Sequence, residues 1–127
     1  MSLIVDIVEN DDAVRDSMCA LLDAYGYAPR GYASPVVYLK SAAGAPGNCL
    51  IVDLHMPEMT GLELLETLRS QDVRIPALMM TGRHDPSLEP RIAQAGVVKL
   101  LHKPIQDEQL FSWIEQACGN AAATPPR

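Results

Sequence analysis

Short apolar runs alternate with amphipathic segments along the whole chain. The predicted strands occupy residues 3–8, 28–32, 49–52, 77–80 and 97–101. The predicted helices occupy residues 14–25, 34–42, 62–68, 86–95 and 106–118. Gly26 and Gly96 stand where the first and fourth helices should end. Strict alternation of strands and helices predicts a parallel sheet with helices on both faces.

The third predicted strand, residues 49–52, is continuously apolar, as expected when helices cover both faces of a parallel sheet. In such sheets the working site lies in the crevice beyond the carboxyl ends of the strands. The residues that follow strands one, three, four and five are therefore the candidates for function. They are Glu9, Asn10, Asp53, Thr81 and Lys103.

Composition narrows the class of protein. The chain has 127 residues, 48% of them hydrophobic, which suits one globular domain. Its net charge of −6 disfavours direct contact with nucleic acid or with an anionic membrane. Three cysteines without a C-x-x-C pair fit a reducing compartment, and no apolar run approaches the length of a membrane span. We expect a cytoplasmic domain over residues 1–119, followed by a linker or disordered tail over residues 120–127.

The candidate residues have complementary chemistry. A carboxylate such as that of Asp53 can attack phosphorus and form an aspartyl phosphate. Lys103 and Thr81 could contact the phosphate oxygens, and Mg²⁺ held by oxygen ligands could neutralise their charge. Taken singly, the aspartate could be a turn or cap residue and the lysine a solvated charge. Suitable groups at the same end of four parallel strands favour a common site.

Three segments resemble the receiver domains of response regulators in two-component systems. Asp53-Leu54-His55-Met56-Pro57-Glu58-Met59-Thr60-Gly61 is similar to their phosphorylation loop. Met80-Thr81-Gly82 resembles their fourth-strand switch, and Lys103-Pro104 their Lys-Pro pair, whose peptide bond is typically cis. The resemblance extends from about residue 3 to residue 118. The opening residues 8–17 look most like receivers that precede a LuxR-type helix-turn-helix domain.

This resemblance implies a flavodoxin-like fold, a doubly wound sheet of strand order 2-1-3-4-5 with five helices. It implies a phosphorylation-controlled switch, not an enzyme, with a sensor histidine kinase as donor and at most self-phosphorylation and self-dephosphorylation. Asp53 would be the acceptor, and Glu9, Asn10, Asp53 and the backbone carbonyl of His55 would hold Mg²⁺. A DNA-binding effector outside this chain would provide transcription regulation. A homodimer through helix four, strand five and helix five would be a natural output.

Two residues depart from the family pattern. The family usually has two acids after strand one, the second of them a direct metal ligand, and here the pair is Glu9 and Asn10. We therefore expect weak Mg²⁺ binding. A register with Asp11 and Asp12 as the pair would need an insertion, and those residues are more simply the cap and first turn of helix one. Leu100 stands where the family usually carries Tyr or Phe.

These departures keep a second function open, a pseudo-receiver that acts as a phosphorylation-independent interaction module. The presence of Asp53, Thr81 and Lys103 favours the switch instead. A flavin-dependent oxidoreductase of similar fold is a third hypothesis, but the sequence has no phosphate-cradling glycine loop.

Overall fold

The computed structural model describes residues 2–42 and 45–123, and in these ranges strands and helices alternate as predicted. The strands are β1 (Ile4–Val8), β2 (Ala28–Tyr32), β3 (Cys49–Asp53), β4 (Ala77–Thr81) and β5 (Val97–His102). The α-helices are α1 (Asp12–Ala24), α2 (Pro35–Ala42), α3 (Gly61–Ser70), α4 (Glu89–Gln94) and α5 (Asp107–Ala123). A 3₁₀ turn, Pro86–Leu88, precedes α4.

The strands form one sheet of order β2-β1-β3-β4-β5, and every neighbouring pair is parallel. This confirms the predicted flavodoxin-like topology. Because all five strands are parallel, the carboxyl ends of β1, β3, β4 and β5 lie along the same edge of the sheet. The order of connections reverses between β1 and β3, and such reversals create the crevice where α/β sheets bind their ligands.

Helices cover both faces of the sheet. Along β3 the side chains of Leu50 and Val52 join a core beneath α2, α3 and α4, which includes Tyr38, Leu65 and Ile92. The alternate β3 side chains, Cys49 and Ile51, join a second core beneath α1 and α5, which includes Leu22 and Ile114. Period-two alternation sends successive side chains to opposite cores, which is why a central strand must be apolar at every position.

Asp6 interrupts the apolar pattern of β1 and is completely buried. Its carboxylate accepts hydrogen bonds from Arg30 Nε at 2.8 Å, from the Tyr38 hydroxyl at 2.8 Å and from the Gly47 amide at 2.8 Å. Burial and the bond to Asp6 raise the pKa of Tyr38 far above its usual range. The network ties β1 to β2, to α2 and to the segment before β3, and buried charge is tolerated because its oxygens are satisfied.

The structure corrects several predicted boundaries. β3, β4 and β5 each run one residue further than predicted, so that Asp53 and Thr81 are the last residues of their strands. The helix predicted over residues 86–95 is divided, because Asp85 caps the 3₁₀ turn and Pro90 falls in the first turn of α4. α5 continues to Ala123, beyond the predicted helix end at residue 118. Residues 124–127 lie outside the described residues.

Candidate active site at the carboxyl edge of the sheet

Asp53 is the centre of the site. Its residue surface is only 6% exposed, because it ends the central strand β3. One carboxylate oxygen, Oδ1, accepts a hydrogen bond from the backbone N–H of His55 at 2.9 Å. The other, Oδ2, accepts from Lys103 Nζ at 2.5 Å. The carboxylate is thus held by the loop that follows β3 and by the residue that follows β5.

The loop after Asp53 is fixed by the start of α3. The amide of Gly61 donates to the carbonyl of Leu54 at 2.9 Å, and any Cβ at Gly61 would collide with the carbonyl oxygen of Asp53. Thr60 caps α3 reciprocally with Glu63, at 3.1 and 2.9 Å. A glycine is therefore required at residue 61 for the helix to start this close to the acceptor strand.

Glu9 is the second buried acid of the site, and its residue surface is 3% exposed. Oε2 accepts from the amide of Asp11 at 3.1 Å, whereas Oε1 has no hydrogen-bond partner among the described residues and lies 4.0 Å from Lys103 Nζ. Burial raises the pKa of Glu9 above its usual value, the charge of Asp53 raises it further, and Lys103 opposes the rise. The ammonium of Lys103 therefore lies between two buried carboxylates.

The residues after Glu9 lie where the simpler interpretation of the sequence placed them. Asp11 caps α1 and accepts a hydrogen bond from the amide of Val14 at 3.0 Å. Asp12 is in the first helical turn, 2.5 Å from Arg15 and largely exposed. Since these two acids serve the helix, Glu9 and Asn10 remain the pair that follows β1. Asn10 is exposed.

The site suits a hard divalent cation. Among residues 2–42 and 45–123 no three His, Cys, Asp or Glu side chains are grouped to hold a metal ion. Mg²⁺ commonly binds through only one or two carboxylates and keeps several waters. Glu9 and Asp53 are two such carboxylates, and Oε1 of Glu9 is buried without a hydrogen-bond partner in the part of the chain that the structure describes. The chemistry of these oxygens fits Mg²⁺.

Thr81, the last residue of β4, is completely buried. Its hydroxyl donates to the carbonyl of Arg83 at 2.9 Å, accepts from the amide of Arg83 at 3.1 Å, and lies 3.1 Å from His55 Nε2. The backbone of Lys103 donates to the carbonyl of Thr81 at 2.8 Å, and the Lys103-Pro104 peptide is cis, as the resemblance implied. The His55 ring is the participant that the sequence did not indicate, because only its backbone carbonyl was a candidate.

Leu100 lies on β5, where it is paired with Met79 of β4. It is half-buried and packs against the core beneath α2, α3 and α4. On the same strand Lys99 Nζ lies 5.2 Å from the ring centre of Trp113 on α5. Leucine thus fills space at this position without a polar group.

The fold and the site together define a class of protein: a flavodoxin-like α/β domain with an acidic pocket at the carboxyl edge of its sheet. The profile of the response regulator receiver domain matches residues 5–115. The chain belongs to that family.

Known relatives agree with this assignment. The transcriptional regulatory protein FixJ of Bradyrhizobium diazoefficiens is 33% identical over 115 residues, which cover 91% of this chain and 56% of FixJ. The response regulator protein TodT of Pseudomonas putida is 29% identical over 114 residues, or 90% of this chain and 50% of TodT. The crystal structure of FixJ-N is 31% identical, has a TM-score of 0.86, and covers 94% of this chain and 95% of that one. The chain therefore spans about half the length of the curated relatives it matches.

No helix in the described parts of the chain is long and apolar enough to cross a membrane.

Proposed function

We propose that this receiver domain is a phosphorylation-controlled switch whose Asp53 takes a phosphoryl group from a phosphohistidine of a sensor histidine kinase. The observation that carries the proposal is the buried Asp53 carboxylate at the strand edge, with the Lys103 ammonium 2.5 Å away. Receiver domains are regulatory domains and not classical enzymes. Any self-phosphorylation from small donors would use the same group.

The proposed transfer is a substitution at phosphorus. A carboxylate oxygen of Asp53 attacks, the P–N bond to the kinase histidine breaks, and the imidazole leaves with the electron pair. The product is an acyl phosphate that brings more negative charge into a pocket already holding Glu9. Lys103, 4.0 Å from Glu9 and in contact with Asp53, supplies the positive charge within reach. The hydroxyl of Thr81 would contact a phosphate oxygen.

Glu9, Asp53, the amide oxygen of Asn10 and the backbone carbonyl of His55 would hold Mg²⁺. When bound, the ion supplies the charge neutralisation that phosphoryl transfer requires. Asn10 offers a neutral oxygen where most receivers have a carboxylate, so the site has one negative charge fewer beside a dication. We therefore expect weaker Mg²⁺ binding than in a receiver with two acids.

We propose a docking site for the kinase in a groove on the α1 side of the domain. A groove of about 650 Å³ lies between α1 and the start of α5, and it opens next to Lys103. Val14, Met18 and Leu21 of α1 and Ile105 make it largely apolar. A kinase helix packed in this groove would have its phosphohistidine within reach of Asp53.

The regulated partner is proposed from the relatives that this chain matches. FixJ is named a transcriptional regulatory protein, and about half of its length has no counterpart here. We propose that a DNA-binding effector is the regulated partner, that the domain works in the cytoplasm, and that the face of α4, β5 and α5 forms a homodimer. The net charge of −6 disfavours direct contact between the receiver itself and DNA.

The proposal is tested by incubation with acetyl phosphate and Mg²⁺ and by intact-mass spectrometry. The wild type should gain the mass of one phosphoryl group, and Asp53→Asn should gain none, because an amide cannot attack phosphorus. Asp72→Asn is the matched control. Asp72 is exposed and has a φ of 63°, which asparagine tolerates. Labelling of Asp53→Asn would move the acceptor elsewhere, and an unlabelled wild type would favour the phosphorylation-independent module.

A further inference from the structure

The hydroxyl of Thr81 has no free hydrogen-bonding capacity. A hydroxyl has one hydrogen and two lone pairs, and the Thr81 hydroxyl has three protein contacts. These contacts are the amide of Arg83 at 3.1 Å, the carbonyl of Arg83 at 2.9 Å and His55 Nε2 at 3.1 Å. Whichever tautomer His55 adopts, the single hydrogen of Thr81 goes to a protein acceptor. To donate to a phosphate oxygen, Thr81 must first give up the hydrogen bond in which it donates this hydrogen.

His55 connects this hydroxyl to the acceptor. Its backbone N–H donates to Asp53 Oδ1 at 2.9 Å while its ring contacts Thr81. The two bonds come from opposite ends of one half-buried residue. The contact between His55 and Thr81 joins the loop after β3 to the end of β4, whereas both Arg83 contacts are local to β4.

Resting on the proposed function, we propose that His55 is a positioning residue that latches Thr81 in the unphosphorylated arrangement. Thr81 would leave its contact with the His55 ring when it moves to the phosphoryl group on Asp53. The His55–Thr81 bond exists only before that movement, so it stabilises the resting state and not the activated one. A contact that differs between two states shifts the equilibrium between them by its own free energy.

The strength of one neutral hydrogen bond sets the size of the effect. Loss of the latch should shift the resting-to-activated equilibrium about fivefold toward the activated state. Beryllofluoride, which forms a phosphoryl-like adduct on carboxylates, should then bind about fivefold more tightly at saturating Mg²⁺. In the absence of beryllofluoride, the Thr81 methyl resonance should move part of the way toward its position in the adduct.

The test compares three variants with the wild type by calorimetry and methyl NMR. His55→Phe keeps a planar ring but has no nitrogen, so it should show both effects. His55→Gln places an amide at about the reach of Nε2 and should restore wild-type behaviour. His84→Phe removes an exposed histidine from the loop after β4, whose ring centre lies 6.3 Å from that of His102. The recorded hydrogen bonds of the Thr81 hydroxyl go to His55 and Arg83 and not to His84, so this variant should also match the wild type. Mg²⁺ affinity is measured in parallel, because a distorted loop would weaken it in both His55 variants.

The outcomes separate the latch from the function on which it rests. If wild type is labelled on Asp53 by acetyl phosphate and His55→Phe binds beryllofluoride no more tightly, the latch is wrong and the switch remains. The latch is also wrong if His55→Gln behaves like His55→Phe, since the ring's shape would then matter more than its hydrogen bond. A wild type without label overturns the switch and the latch together.

Discussion

Glu9 should destabilise the metal-free protein, and its neutral analogue should show this directly. Its carboxylate is buried, yet Oε1 has no hydrogen-bond partner among the described residues. The substitution Glu9→Gln keeps the shape of the side chain and an oxygen that can accept from the amide of Asp11. It removes the charge. We therefore expect Glu9→Gln to be more stable than the wild type when chelator has removed divalent metal.

The contacts of Glu9 determine how much stability Glu9→Gln should gain. An unsatisfied buried acceptor costs about 1 to 3 kcal/mol, and more when it is charged. Lys103 recovers part of that cost from 4.0 Å, although it is shared with Asp53 at 2.5 Å. Glu9→Gln should thus gain about 1 kcal/mol at neutral pH, which moves a urea midpoint by roughly 0.5 M. Added Mg²⁺ should stabilise the wild type more than Glu9→Gln, and so narrow or reverse the difference.

The stability difference between the wild type and Glu9→Gln should depend on pH in a definite direction. Because burial raises the pKa of Glu9 above the usual 4.5, the folded protein binds this proton more tightly than the unfolded chain does. The stability that protonated Glu9 contributes is therefore lost as the pH rises through its folded pKa, and Glu9→Gln lacks this contribution to the pH dependence. The advantage of Glu9→Gln should shrink as the pH is lowered toward 4.5.

The assay is urea unfolding in chelator over a series of pH values, with Asp16→Asn as the control. Asp16 is an exposed acid of α1, so its neutralisation should change stability by less than about 0.5 kcal/mol. A Glu9→Gln protein less stable than the wild type at neutral pH would refute the reasoning. So would a stability difference that does not change with pH.

Three other substitutions test other parts of the molecule. Asn10→Asp should tighten Mg²⁺ binding about tenfold in calorimetric titration, because it adds a negative charge to the site. An unchanged Mg²⁺ affinity would favour Asp11 and Asp12 as the metal-binding pair. Lys103→Ala should still be phosphorylated on Asp53 but should lose the change in sedimentation that beryllofluoride causes in the wild type, because the ammonium that pairs with the phosphoryl group is gone. A retained change in sedimentation would contradict this role of Lys103. Tyr38→Phe should lower the free energy of unfolding by about 1 to 2 kcal/mol, because Asp6 loses a buried hydrogen-bond donor. Urea unfolding measures this change, and an unchanged stability would contradict a stabilising role for the bond between Tyr38 and Asp6.

The alternation of apolar and amphipathic segments was enough to predict the sheet. Central strands of a parallel sheet must be apolar on both faces, so β3 and β4 are recognisable in the sequence as unbroken runs of apolar residues. Strand ends were harder, because a polar residue such as Asp53 can pair in the sheet and still face a pocket. The predicted fourth helix is divided into a 3₁₀ turn and α4 because of the cap at Asp85 and the position of Pro90. These local features do not show in the spacing of hydrophobic residues.

The sequence placed the candidate residues at one edge but could not give their contacts. The convergence of Glu9, Asp53 and Lys103 follows from topology, because the ends of parallel strands meet. The contact between the His55 ring and Thr81 depends on one side-chain conformation in a loop, which no spacing rule records. The Asp6 network was missed for a different reason: a single acid in an apolar strand gives no sign of partners that are distant in sequence.

Asn10 and His55 act on different steps, yet in our proposals both favour the resting state. Asn10 lowers the charge that attracts Mg²⁺, and so reduces the fraction of molecules ready for transfer at a given metal concentration. His55 holds the Thr81 hydroxyl in its resting position. Because one effect acts on metal binding and the other on the movement of Thr81, their free energies should add unless the loop after β3 couples them.

The double substitution Asn10→Asp with His55→Phe measures that coupling. At limiting Mg²⁺ its beryllofluoride affinity should exceed that of the wild type by the product of the two single effects. A smaller gain would mean that the backbone of His55, shared by Asp53 and the proposed metal site, transmits one change to the other.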